Sequence, residues 1–206
     1  MNSLPYVYVI GFVAQGLFSA RLLVQWILSE KARKVVSPDI YWILSLGGSI
    51  LFFLYGWLRH DFSIILGQFI SYYIYIWNLS VKGIWRKVPR WIAAVVMLLP
   101  VLALSLMLND APAFVGQFLH NDSVPTPLLV FGSVGQIIFS LRFIYQWYYS
   151  YKRHHSILPV GFWIISLVGS GIIVTYGAIR LDPVLVIGQS VGFVAYLRNI
   201  IIGKKS

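Results

Sequence analysis

Seven long apolar stretches, at residues 5–28, 40–58, 62–81, 91–108, 128–150, 159–179 and 183–203, constrain this chain more than any other feature. A hydrocarbon core of about 30 Å takes roughly 20 helical residues to cross. Backbone amides in lipid must be satisfied within the segment itself, so each stretch reads as a transmembrane helix. The predicted fold class is therefore an all-α integral membrane protein with seven transmembrane helices. Composition agrees: only 11% of the 206 residues are charged, against about a quarter in a soluble domain. Cysteine is absent, which excludes disulfides, thiolate metal sites and thiol nucleophiles. Residues Met1 to Tyr6 carry no basic run, so the start of the chain does not read as a cleaved signal peptide.

The formal charge of +10 would suit nucleic acid, but the basic residues fall in short clusters between apolar runs. Lys31, Arg33 and Lys34 follow the first span, Lys82, Arg86, Lys87 and Arg90 the third, Lys152 and Arg153 the fifth, and Lys204 and Lys205 the last. The opposite side holds Arg59 and Arg180, and the connection 109–127 has Asp110 and Asp122 but no Lys or Arg. Positive residues mark cytoplasmic loops. The expectation is a multi-pass protein with its N-terminus outside and its C-terminus cytoplasmic, and no nucleic-acid partner.

Sliding the sequence against itself aligns residues 11–81 with 132–202 without a gap, and 25 of the 71 positions are identical. Such self-similarity marks a duplicated structural unit. The expected organisation is a first three-helix repeat (1–83), a linker helix with an outer loop (84–127), and a second three-helix repeat (128–206). Three spans per repeat would invert the second copy, but the unmatched span 91–108 turns the chain once more and restores a common orientation. Parallel repeats of this kind occur in transporters, and a dimer-like scaffold would give the same pattern.

The repeated run G-x-V-x-Q-x-x-F-S-x-R-x-x-x-Q-W begins at Gly11 and at Gly132. P-x-x-x-W-x-x-S-L follows from Pro38 and Pro159, then R-x-D from Arg59 and Arg180, then G-Q-x-x-x-x-x-x-Y-x-x-N from Gly67 and Gly188. This motif set resembles the lipid A biosynthesis N-terminal domain family, a three-helix membrane module that is in some proteins fused to lipid-A-disaccharide synthase. The three-plus-one-plus-three arrangement is also similar to the SWEET and PQ-loop transporters. No glycosyltransferase domain accompanies the repeats in this sequence, so synthase activity is not carried over. The Pro-Gln dipeptide is missing too, since Asp39 follows Pro38 and Val160 follows Pro159. The resemblance implies a bacterial inner-membrane location and a role in lipid A or glycolipid metabolism.

Candidate binding residues follow from polar groups repeated at the same depth. Arg21 and Arg142 lie inside apolar spans, seven or eight residues from the predicted helix ends. An Arg near a span centre costs about 2.5–3.5 kcal/mol to insert and normally faces the bundle interior or water. Snorkelling is the plainer reading, with the head climbing about 11 Å to the surface. Gln25 and Gln146 sit four residues on from each Arg and share its helix face. A guanidinium suits phosphate, donating two parallel hydrogen bonds while staying charged. A ligand that brings its own negative charge therefore fits better than a neutral sugar. Gln15 and Gln136, Trp42 and Trp163, Ser45 and Ser166, Tyr75 and Tyr196, and Asn78 and Asn199 complete the repeated polar set. Trp and Tyr at this depth also serve as interfacial belts. Ser, Asn and Gln also act as interhelical glue worth roughly 0.6 kcal/mol each. The small residues Gly47, Gly48, Ser49, Ser170 and Gly171 read as close-packing positions. Arg59 with Asp61, and Arg180 with Asp182, read as ion pairs fixing outer turns, and Arg198 as a snorkelling end residue.

No catalytic dyad, nucleophile pairing, phosphate-cradling glycine loop or metal spacing occurs, so neither a catalytic residue nor a cofactor is expected. The leading expectation is a transporter or flippase that binds a membrane lipid or lipid-linked sugar phosphate, held by Arg21 and Arg142 and oriented by the amides. One alternative is a non-transporting subunit that presents lipid to a glycosyltransferase partner through loops 29–37 and 82–90. Another is a SWEET-like sugar carrier.

Overall fold

The computed structural model describes residues 5–58, 62–108, 125–179 and 183–205, and all regular structure among them is helical. Seven α-helices are present among the described residues: α1 (Pro5–Ala32), α2 (Asp39–Leu58), α3 (Phe62–Val81), α4 (Arg90–Leu108), α5 (Thr126–Arg153), α6 (Val160–Ile179) and α7 (Pro183–Lys205). One 3-10 turn, Trp85–Lys87, joins α3 to α4. Helices α1 and α5 continue past the apolar runs into their basic termini. Two of the described helical segments, Val9–Ala32 and Val160–Ile179, are long and apolar enough to cross a membrane, the composition of membrane-associated helices. The expected outer-turn pairs Arg59/Asp61 and Arg180/Asp182, and residues 109–124 of the outer loop, lie outside the described residues.

Compactness divides the chain differently from the repeat register. One unit comprises residues 1–20 and 42–122; the other comprises 21–41 and 123–206. The C-terminal part of α1, with the loop after it, thus belongs to the same unit as the second repeat.

In the first unit, Trp42, Phe53, Tyr72 and Tyr75 form the buried aromatic core, with Phe53 and Tyr72 edge to face at 5.4 Å. Gly48 lets α2 approach α1, because a Cβ there would lie 2.8 Å from the Phe18 ring. Gly47 has ordinary room, so only one of these paired glycines is needed for packing. Ser49 instead donates a hydrogen bond to Gln68 of α3. Helix α4 contains Pro100, which has no N–H to donate and leaves the carbonyl four residues earlier without its helical bond. That carbonyl, Val96 O, accepts the Tyr72 hydroxyl at 2.7 Å, and Met97 O accepts that of Tyr73 at 3.0 Å. The proline and the two tyrosines together tie α3 to α4, and the carbonyl that the proline frees keeps a partner.

In the second unit, α6 packs between α5 and α7. Gly169 is the tightest point: a Cβ there would meet the backbone N and Cα of Phe139 at 2.8 Å. Gly171 has ordinary room beside Phe193. Helices α1 and α5 end alike, with Arg33 and His154 in the left-handed conformation at φ 53° and 54°. Neither is glycine, so each cap carries backbone strain of about 1–2 kcal/mol. The loop beyond each cap is held by side chains of the helix it leaves. Ser29 Oγ accepts from the Val36 N–H at 3.1 Å, and Ser150 Oγ accepts from the Ile157 N–H at 3.0 Å.

Candidate functional site

Helix α1 presents Arg21, Gln25 and Ser29 at four-residue steps, and α5 presents Arg142, Gln146 and Ser150 in the same way. All six are buried. Spacing of four places them on one stripe of each helix.

Both arginines are 5% exposed, so neither snorkels to the surface. Their guanidinium groups turn into aromatic surroundings instead. The Arg21 Cζ lies 5.4 Å from the Tyr41 ring centroid and 5.5 Å from that of Phe143. The Arg142 Cζ lies 3.3 Å from Phe139, 4.6 Å from Phe143 and 5.8 Å from Phe162. Phe143 is therefore flanked by both cations, which sit no farther apart than the sum of their distances to that ring. A desolvated cation on an aromatic face gains about 2 kcal/mol, against several kcal/mol for removing an ion from water. The rings offset part of the burial cost, and the two like charges raise the local positive potential. Chemically, this is a place where an anionic oxygen would receive charge-assisted hydrogen bonds.

The amides do different work. Gln25 Nε2 donates to Ser29 Oγ at 2.9 Å, to Val36 O at 3.2 Å and to Asn199 Oδ1 at 2.9 Å. Asn199 Nδ2 returns a bond to Gln25 Oε1 at 3.0 Å and donates to Ala195 O at 2.8 Å. Gln146 Nε2 donates to Ser150 Oγ at 2.9 Å and to Ile157 O at 2.8 Å. These donors hold loops and join α1 to α7 within the chain. Asn78 donates to Ile74 O at 2.8 Å, matching the Asn199 bond to its own helix.

The aromatic candidates are not belt residues. Trp42, Trp163, Tyr75 and Tyr196 are all at most 3% exposed, and each Trp pairs with its Tyr at 6.1 Å between ring centroids. Trp163 Nε1 is buried and donates no hydrogen bond among the described residues. Ser45 and Ser166 are buried, and Ser166 donates back to Phe162 O at 2.6 Å. Gln15 and Gln136 are exposed, apart from the buried polar residues. Trp42, Ser45, Tyr75 and Asn78 belong to the first unit; the arginines, Gln25, Gln146, Trp163, Ser166, Tyr196 and Asn199 belong to the second.

Arg198 does not simply snorkel. Its Nε donates to Glu30 Oε1 at 2.7 Å, and its Nη2 lies 2.7 Å from the same oxygen. Trp26 Nε1 adds a bond to that oxygen at 2.9 Å. The Arg198 bond first, and the Trp26 bond second, hold the Glu30 carboxyl below the usual carboxylate range.

Sequence reasoning missed Tyr41, Phe139, Phe143 and Phe162 as the rings on which the cations rest, and the two loop-pinning serines. Ser29 and Ser150 were detectable as an identical repeat pair four residues beyond each Gln. Phe143 gave no such signal, because its counterpart in the first repeat is Leu22.

Fold and site together define a class: an internally duplicated, all-helical, strongly apolar protein with paired buried cations. The chain belongs to the family described as Lipid A Biosynthesis N-terminal domain, which matches it twice, over residues 10–80 and 131–201. The two matches fall on the internal repeats. Among curated proteins, the chain is 29% identical to a lipid-A-disaccharide synthase of Chlamydia felis over 97% of its own length and 33% of that protein. It is 31% identical to the enzyme of the same name from Chlamydia muridarum, over 97% of its own length and 34% of that protein. The chain thus spans about a third of the length of these relatives, and the matched third takes in both repeats and the linker between them. No solved structure matches the chain. The family relation places the chain in the context of lipid A and glycolipid metabolism.

Proposed function

We propose that the chain is a multi-pass protein of the bacterial inner membrane that binds a phosphate-bearing glycolipid, or its polyprenyl-phosphate carrier, at Arg21 and Arg142 and moves the headgroup across the bilayer. In this reading all seven helices span, with the N-terminus outside and the C-terminus cytoplasmic. Exposed large apolar side chains on α1, α4, α5 and α6, such as Phe12 and Trp91 at 70% and 71%, support immersion in lipid. The single observation that carries the binding proposal is the pair of buried guanidiniums on one ring, Phe143. A neutral sugar would gain little from two such charges. A phosphate would be held by forked, charge-assisted bonds.

A second reading rests on the relatives. In them this region forms a third of a protein named lipid-A-disaccharide synthase, which favours a module that presents an anionic lipid to a glycosyltransferase. Both readings need the lipid site; they differ in whether lipid crosses. Native mass spectrometry of the gently extracted protein tests the site: a phosphorylated lipid held by the parent and lost from well-folded Arg21→Gln and Arg142→Gln supports it. Retention by both variants would sink it. Headgroup accessibility in sealed proteoliposomes then separates the readings, since presentation alone leaves the lipid in its original leaflet.

A further inference from the structure

The repeats agree at their buried stripes and disagree at their exposed ends. In α5 the stripe Arg142, Gln146, Tyr149, Arg153 runs along one helix face from a buried cation to an exposed one. The aligned residues of α1 are Arg21, Gln25, Leu28 and Ala32. Around that C-terminal end, Tyr145, Tyr148 and Tyr151 stand where α1 has Val24, Ile27 and Glu30. The two helices end with the same left-handed cap and the same serine-held loop, so the fold does not require the tyrosines.

What the tyrosines form is a surface of rings and cations. Lys152 Nζ lies 4.4 Å from the Tyr148 centroid. The Arg153 Cζ lies 4.0 Å from the Tyr149 centroid, and its guanidinium donates to the Tyr149 hydroxyl. Trp147 and Tyr151 stack at 5.6 Å with 30° between their planes. Tyr148 and Tyr151 are 52% and 54% exposed. Aromatic faces carry the negative side of the ring quadrupole, which suits the slightly positive C–H faces of a saccharide. Cations held over rings are already oriented, so less freedom is lost when they meet a phosphate. An interfacial belt is the competing use of such residues. A belt, however, would serve the end of α1 equally, and α1 has Val24, Ile27, Leu28 and Glu30 at the positions of the four tyrosines.

We infer that the C-terminal end of α5, centred on Tyr148, Tyr149, Tyr151, Lys152 and Arg153, receives the phosphorylated saccharide headgroup of an anionic lipid. This rests on the reading of Arg21 and Arg142 given above and names the saccharide part of that ligand. The platform is in line with Arg142, three helical turns away on the same stripe, so a headgroup leaving it meets the buried cation pair.

The test uses the full chain in nanodiscs of zwitterionic lipid, with a water-soluble disaccharide carrying two phosphates as the probe. Titration calorimetry compares the parent with the combined variant Tyr148→Ile, Tyr149→Leu, Arg153→Ala, which installs the residues α1 carries at the aligned positions. The expected result is at least a tenfold loss of affinity with unchanged helix content, and at least tenfold weaker binding of the unphosphorylated disaccharide to the parent. Unchanged affinity in the variant overturns the inference, as does a variant that alters only membrane extraction. Binding of an acidic peptide in place of the saccharide, with the same dependence on the variant, also overturns it. The Arg21→Gln, Arg142→Gln protein separates the two proposals. If it loses the acylated lipid but keeps the soluble probe, both stand. If it loses the probe while the platform variant keeps it, the platform reading alone falls. If the parent retains no phosphorylated lipid yet the probe still needs the platform, the arginine reading alone falls.

Discussion

The reciprocal amide pair between Gln25 and Asn199 is the sharpest test of how α1 and α7 are joined. Its two bonds, at 2.9 and 3.0 Å, link side chains with no exposed surface. Replacing Asn199 with Ala orphans Gln25 Oε1, but Gln25 Nε2 keeps Ser29 and Val36 as acceptors. Ala195 O, which Asn199 Nδ2 also reaches, is a helix carbonyl that keeps its backbone bond. Replacing Gln25 with Ala removes more, because Val36 O and both Asn199 groups lose a partner. An unsatisfied buried group costs about 1–3 kcal/mol, and interhelical hydrogen bonds in membrane proteins average about 0.6 kcal/mol with a maximum near 1.7. Asn199→Ala should therefore cost about 1–2 kcal/mol and Gln25→Ala about 2–3 kcal/mol, by the same unsatisfied-group scale. A double-mutant cycle should return a coupling of about 1–2 kcal/mol, since each variant removes the same two bonds. The assay is reversible unfolding in mixed micelles, followed by circular dichroism, for the parent, both single variants and the double. Coupling below about 0.3 kcal/mol, the level at which independent sites add, would refute the pairing. So would an Asn199→Ala loss as large as that of Gln25→Ala.

Gly169→Ala should destabilise by about 1–3 kcal/mol, the usual cost of overpacking. The added Cβ would meet Phe139 backbone atoms at 2.8 Å, whereas Gly171→Ala has room and should be near neutral in the same thermal assay. Ser150→Ala should cost about 1–2 kcal/mol by loss of buried hydrogen bonds, and hydrogen exchange should speed up at the Ile157 amide that it holds. The Glu30 carboxyl titrates below its unfolded value, so the clasp with Arg198 adds stability above the ordinary carboxylate range and loses it as pH falls through the lowered value. The Tm difference between the parent and Arg198→Met should thus be constant near neutrality and vanish in strong acid; a gap that widens in acid would contradict the pairing.

The sequence already held the helical segments, the duplication and the repeated polar stripes. The reason is that a single long apolar run satisfies its own backbone groups only as a helix and that a duplicated motif is visible without coordinates. It also picked out Arg21 and Arg142 as mid-helix cations that the apolar runs would not tolerate at random. What it could not decide was partnership. Identical residues in two repeats suggest that Gln25 serves its own repeat, yet Gln25 bonds Asn199 of the other, and residues 21–41 join the second compact unit. Depth along a helix was legible, but direction around it was not: Gln15 and Gln136 face outward while Trp42 and Trp163 are fully buried. Phe143 shows the limit most plainly. Its position in the sequence is an apolar residue among many, aligned with a leucine, and only the packing of α1 against the second repeat sets two guanidiniums around one ring. Local backbone physics chose the elements; long-range packing chose which of their polar groups meet.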